Sequence, residues 1–173
     1  DGEVLIWNAK GELQQTLEGP SAGIPWVCWH PRGNALLGGS EDCSAWLWLA
    51  PQNKTVAVFF GHTATVETGS FALGGKLCVT GSEDMTVRVW KPKDGVCAHV
   101  MQGYAFHKAA VSKLAVPNVA DEKRSALIMS GDVEGGLFLS NVEGHILGPL
   151  LGHTDSIETI SFSSTLPLAC SGS

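Results

Sequence analysis

The sequence is poor in charge, and poorest in positive charge. Only 16% of its 173 residues are Asp, Glu, Lys or Arg, and the formal net charge is −6. An acidic balance argues against a surface built to neutralise phosphates, so direct binding of nucleic acid is not expected. No apolar run approaches the length of a membrane-spanning helix, and no signal peptide is visible, so no membrane association is expected. The five cysteines, Cys28, Cys43, Cys78, Cys97 and Cys170, form no CxxC pair and are odd in number. They read as buried free thiols of a reducing compartment, cytoplasmic and by extension nuclear, rather than as a disulfide or zinc framework. No His, Cys and carboxylate fall at metal-ligand spacing, and no Gly-rich phosphate loop leads into a helix. Neither a metal nor a cofactor is therefore expected.

What is abundant is glycine, at 21 residues, within a chain that is 44% hydrophobic. Many turns between β-branched runs suit an all-β protein. The most complete unit runs from Gly61 and His62 through a small, acidic turn (Gly81, Ser82, Glu83, Asp84) to an alternating strand ending at Trp90. It recurs at about 41–50 residues, a period typical of propeller blades. Trp7, Trp48 and Ser140 occupy the Trp90 position. Gly19 with Pro20, a displaced Gly103 and His107, and Gly152 with His153 occupy the Gly-His position. The units span about 1–18, 19–60, 61–102, 103–151 and 152–173, the first and last incomplete. Short runs between the markers read as three or four strands per unit. Several are apolar at nearly every position, as expected for sheets covered on both faces. An insert at 117–124 reads as a solvated a–b loop.

These features resemble the WD-repeat family over essentially the whole chain. The resemblance implies a β-propeller of four-stranded blades, about four of them here, as part or half of a seven- or eight-bladed ring. The 1–173 segment then starts at a strand c and ends after a strand b. A second copy could pair head to tail, as a homodimer, to complete the ring. The resemblance also implies an internal hydrogen-bonded tetrad of His62, Thr80, Asp84 and Trp90. Donor and acceptor types fit that chain. An Asp-His-Thr catalytic relay is the rival reading, but a hydroxyl pinned by Trp90 is a poor nucleophile, so no catalytic residue and no enzyme activity is expected. Unit one has Pro20 and Gly38 in place of His and Thr. Unit three has Glu134 and Ser140 in place of Asp and Trp. Unit four has His153 and Ser171, and would need Asp1 and Trp7.

Charge carries the functional expectation. In a propeller the d–a and b–c loops share one face, here the top, and the a–b and c–d turns share the bottom. Glu18, Glu41, Glu67, Glu83, Asp132, Glu134, Asp155 and Glu158 fall on top against essentially one base, Lys108. Lys10, Arg32, Lys54, Lys76, Lys91, Lys93, Lys123 and Arg124 fall on the bottom, among fewer acids. A one-signed field around a channel mouth attracts oppositely charged segments. Among the clustered tryptophans, Trp29 and Trp48 read as blade core, whereas Trp26 and Trp46 are the better binding candidates. Segments at 17–20, 26–39 (WVCWHPRGNALLGG) and 157–169 (IETISFSSTLPLA) resemble the angio-associated migratory cell protein group. That resemblance implies chaperoning of a basic ribosomal protein in ribosome assembly. The expectation is a protein-binding module whose Glu41, Glu67, Glu83, Glu158 and Trp26 receive a basic peptide. Its alternative is a general scaffold subunit of a multiprotein complex, working through edges and outer strands.

Overall fold

The structure is a computed structural model and describes residues 2–119 and 121–173, together with all their side chains except that of Glu122. Asp1, named above as the acid of the last unit, lies outside the described residues.

Within each sheet, strands pair antiparallel with their neighbours in sequence. A two-stranded sheet, β1 (Glu3–Trp7) and β2 (Leu13–Glu18), comes first. Three four-stranded antiparallel meanders follow. They are β3 (Trp26–Trp29), β4 (Ala35–Gly39), β5 (Ala45–Leu49) and β6 (Lys54–Phe59); then β7 (Thr68–Ala72), β8 (Leu77–Gly81), β9 (Val87–Trp90) and β10 (Cys97–Met101); then β11 (Val111–Ala115), β12 (Leu127–Asp132), β13 (Leu137–Asn141) and β14 (Ile146–Pro149). A pair, β15 (Thr159–Phe162) and β16 (Ala169–Gly172), closes the order. The second strand of each four is buried along almost its whole length, which is why 36–39, 77–81 and 127–131 are small or apolar residues with no polar alternation. Among the described residues the single α-helix is α1 (Glu122–Ser125), and no helix is long and apolar enough to cross a membrane.

Successive sheets are bolted by one recurring contact. The amides of Val66, Val111 and Ile157 donate to the carbonyls of Ser40, Ser82 and Asp132 in the preceding blade, at 3.0, 3.1 and 3.0 Å. All three side chains are fully buried between the sheets. One valine or isoleucine per repeat therefore fixes both the apolar contact and the backbone register of neighbouring blades.

Three sequence expectations are corrected here. Trp29 is 54% exposed rather than core, because β3 turns Trp26 and Cys28, not Trp29, toward the next sheet. Trp48 is core, at 1% exposure. The 117–124 insert is not simply a solvated loop. Asp121 caps α1 by accepting from the amides of Lys123 and Arg124, and the Arg124 guanidinium donates to the carbonyls of Ser163 (3.1 Å) and Leu166 in the next a–b turn. The cysteines are all free, yet only Cys78 is buried outright and Cys170 is exposed. Burial pushes the half-buried Cys28 thiol up to about 12.

Candidate functional site: the top face and the clamps beneath it

The b–c turns that form the top face need a left-handed residue at one point. Cys43 (φ 70°) and Met85 (φ 66°) supply it in the first two complete blades, and Gly135 (φ 85°) in the third. A side chain there costs about 1–2 kcal/mol of backbone strain. The turns tolerate it because they are held from below. Asp84 accepts from the Thr86 hydroxyl (2.7 Å) and amide (3.0 Å), and from the Thr63 amide (3.0 Å).

Beneath this turn, His62 Nδ1 lies 2.8 Å from the Asp84 carboxylate and Nε2 lies 2.7 Å from Thr80 Oγ1. The carboxylate places the imidazole proton on Nδ1, so Nε2 accepts from the Thr80 hydroxyl. Thr80 Oγ1 in turn accepts from Trp90 Nε1 at 2.8 Å. All four residues thus sit on one hydrogen-bonded line. Burial holds the His62 pKa below its ordinary value against the pull of Asp84, with Arg88 adding to the depression. Burial opposes ionisation of Asp84, but donation from His62 and Thr86 outweighs it and holds that carboxyl low. The result is a neutral imidazole against an ionised carboxylate.

The third blade reaches the same end with different residues. His107 Nδ1 meets the Asp132 carboxylate at 2.7 Å, and Nε2 meets Ser130 Oγ at 2.7 Å. Glu134, expected to be the acid, is exposed. Asp132 stands where Ser82 stands in the second blade, and its longer side chain also accepts from the amides of Glu134 (3.0 Å) and Gly136 (2.7 Å). A Cβ on Gly136 would lie 2.3 Å from that carboxylate, so the Gly135–Gly136 pair is the sequence signal of the exchange. Ser140 does not replace the missing indole. Phenylalanine rings pack there instead, Phe138 and Phe106 lying edge-on to His107 with centroids 4.6 and 4.4 Å away. In the first blade, without His or Thr, Trp48 Nε1 donates to the Glu18 carbonyl (2.8 Å) and Trp46 Nε1 to Ser44 Oγ (2.8 Å). In the last unit His153 Nε2 meets Ser171 Oγ at 2.8 Å, while Trp7 is 56% exposed.

Above the clamps, glutamates from adjoining blades gather. Glu41 and Glu83 are exposed at turn tips, and Glu67 is half-buried at the entrance of β7. Partial burial, then the charges of Glu83 and Glu41, raise the Glu67 pKa, with Lys113 opposing. Lys113 is the base missed in the sequence. It lies on β11, and only the packing of β11 against β7 brings it to Glu67. Glu158 holds the position of Glu67 two sheets further on. Its amide donates to Gly172, as that of Glu67 does to Gly81. Trp26 is half-buried and donates Nε1 to the Val66 carbonyl at 2.7 Å. Gly39 and Gly69 leave room for its ring, so Trp26 is a wedge between two sheets. The hydroxyls that meet His62 and His107, those of Thr80 and Ser130, are fully buried beneath this mouth.

Repeated four-stranded meanders, clamped by His–hydroxyl–carboxylate sets under acidic turns, define a propeller-type repeat protein of the kind that binds other proteins. Comparison with known families agrees: the model for the WD domain, G-beta repeat, matches residues 11–48 and 53–91, and the chain belongs to the WD-repeat family. It is similar to the angio-associated migratory cell proteins of Pongo abelii and Homo sapiens, each 31% identical over 187 residues. Those alignments take in 99% of this chain and 42% of the relative. It is also similar to WD repeat-containing protein 37 of Xenopus tropicalis, 33% identical over 143 residues, covering 78% of this chain and 28% of that protein. The chain thus spans well under half the length of these relatives.

Proposed function

We propose that the chain is a non-enzymatic, protein-binding set of blades whose top face receives a basic protein segment. The observation that carries this is the gathering of Glu41, Glu67 and Glu83 from adjoining blades at one place. Burial is the first cause of the raised Glu67 pKa, and the charges of Glu83 and Glu41 add to it, so a negative potential collects around that carboxyl. The same potential favours a Lys or Arg side chain arriving from solvent. Lys113 beside it leaves part of the cluster compensated, so Glu41 and Glu83, both exposed, are the stronger contacts and Glu158 extends the field. Trp26 contributes by fixing the two sheets that carry Glu41 and Glu67, more than by offering its ring. A basic, partly disordered tail of a ribosomal protein is a client of this chemistry, and chaperoning it in cytoplasm or nucleus is the finer form of the proposal.

The test is fluorescence anisotropy with a labelled Lys/Arg-rich peptide taken from a ribosomal-protein tail. Glu41→Lys combined with Glu83→Lys should weaken binding by roughly tenfold or more and flatten its salt dependence. Unchanged affinity and salt slope would sink the proposal. Loss of binding from changes on the outer strand β2 instead would favour the scaffold reading.

A further inference from the structure

On the opposite, bottom face the a–b turns of three successive blades, with the c–d turn of the third, line a cleft of about 560 Å3. Its rim carries Arg32, Lys76 and Lys123, and its floor includes Leu73, Val119 and Val142. The rim is built rather than incidental. The Arg32 amide donates to His30 Nδ1 (3.1 Å), and the His30 ring packs edge-on to Phe71 with centroids 4.9 Å apart. Gly75 (φ 98°) makes space for that ring: a Cβ there would lie 1.7 Å from His30 Nε2. The Arg32 guanidinium lies over Gly74, another left-handed glycine (φ 65°), where a Cβ would come within 3.3 Å of it. Lys123 is brought in by α1, whose other base, Arg124, is turned away to Ser163 and Leu166. Among the described lining residues the acid is Glu143, 3.5 Å from His145.

We infer that this cleft is a second docking site, for an acidic peptide segment carrying both carboxylate and aliphatic side chains. Arg32 and Lys123, brought together from separate turns, select negative charge. The apolar floor rewards side chains that a phosphate backbone does not have. No lining residue among those described is aromatic, so a nucleic acid would find no ring to stack its bases on. The size suits a few side chains rather than a whole domain surface. With an acidic top and a basic bottom, one chain could hold two oppositely charged partners at once.

The probe is a short fluorescein-labelled peptide of mixed Glu, Asp and Leu, followed by anisotropy at low and high salt. Wild-type protein should bind it, with affinity falling as salt rises. Arg32→Glu with Lys123→Glu should weaken it by roughly tenfold or more, while Glu83→Lys on the top face should leave it within about twofold. That last arm separates this site from the basic-segment proposal, which Glu83→Lys should damage. Thermal melts check that the variants fold, and Arg32→Gln with Lys123→Gln, expected to give a smaller loss, decides the matter if the reversed pair does not. Absence of binding, indifference to both pairs of substitutions, or tighter Arg32-dependent binding of an oligouridine would each overturn the inference.

Discussion

Thr80 offers a test of how much one buried hydroxyl holds this repeat together. It is fully buried, gives its proton to His62 Nε2 at 2.7 Å and accepts from Trp90 Nε1 at 2.8 Å. Thr80→Val keeps the volume but strands an imidazole nitrogen and an indole N–H in a site closed to water. A buried polar group left unpaired costs about 1–3 kcal/mol, so two should cost about 2–6 kcal/mol, with relaxation drawing the value to the lower end. The third blade provides an internal comparison. Ser130 serves only His107 in this way, because Phe138 brings no N–H, so Ser130→Ala strands one group and should cost about 1–3 kcal/mol. Thr80→Ser keeps both bonds and loses a methyl, worth about 0.8 kcal/mol. Urea titrations followed by far-ultraviolet circular dichroism give the global ranking. Hydrogen exchange of the β7–β10 amides gives the local one, which matters because repeat arrays can open piecewise. If Thr80→Val costs no more than Thr80→Ser or Ser130→Ala, the hydroxyl is not the hinge of this network and the reasoning fails.

Two further outcomes follow from the same geometry. Burial lowers His62 and His107 below their ordinary value of 6.5, so in acid the unfolded chain binds more protons than the folded one. Their contribution is fully present above about pH 6.5 and lost as pH falls below it, with Asp84 adding a second loss below its ordinary 3.8. Glu67, raised above 4.5, works in the opposite sense, so a Glu67→Gln variant should show a steeper acid loss near that pH. Urea midpoints that stay constant or rise from pH 7.5 to 5 would contradict this. Gly69→Ala places a Cβ 2.2 Å from the Trp26 ring, and should destabilise by about 1–3 kcal/mol. Combined with Trp26→Phe, which shortens the ring, the costs should fall short of additive. Additive costs would show that Trp26 is not wedged there.

The division between what was legible and what was not is visible in single residues. His62, Thr80, Asp84 and Trp90 could be read as a set because the resemblance to the WD-repeat family implies it and their donor and acceptor types fit. Asp132 escaped that reading because turn alignment puts Glu134 in register with Asp84. Which carboxylate reaches His107 depends on how the longer loop after Gly103 folds back. Only the paired glycines after Glu134 hinted at it.

The tryptophans and the charges divide in the same way. Alternation along β3 separates Trp26 and Cys28 from Val27 and Trp29, but it cannot say which side a neighbouring sheet covers. Loop parity was enough to assign Glu41, Glu67 and Glu83 to one face and Arg32, Lys76 and Lys123 to the other. It could not bring Lys113 to Glu67, or shape a cleft from three separate turns. Period and connectivity suffice for the repeat and for the strand order within each unit. Contacts across blades needed the packed fold, because they join positions about 40 residues apart that no local pattern links.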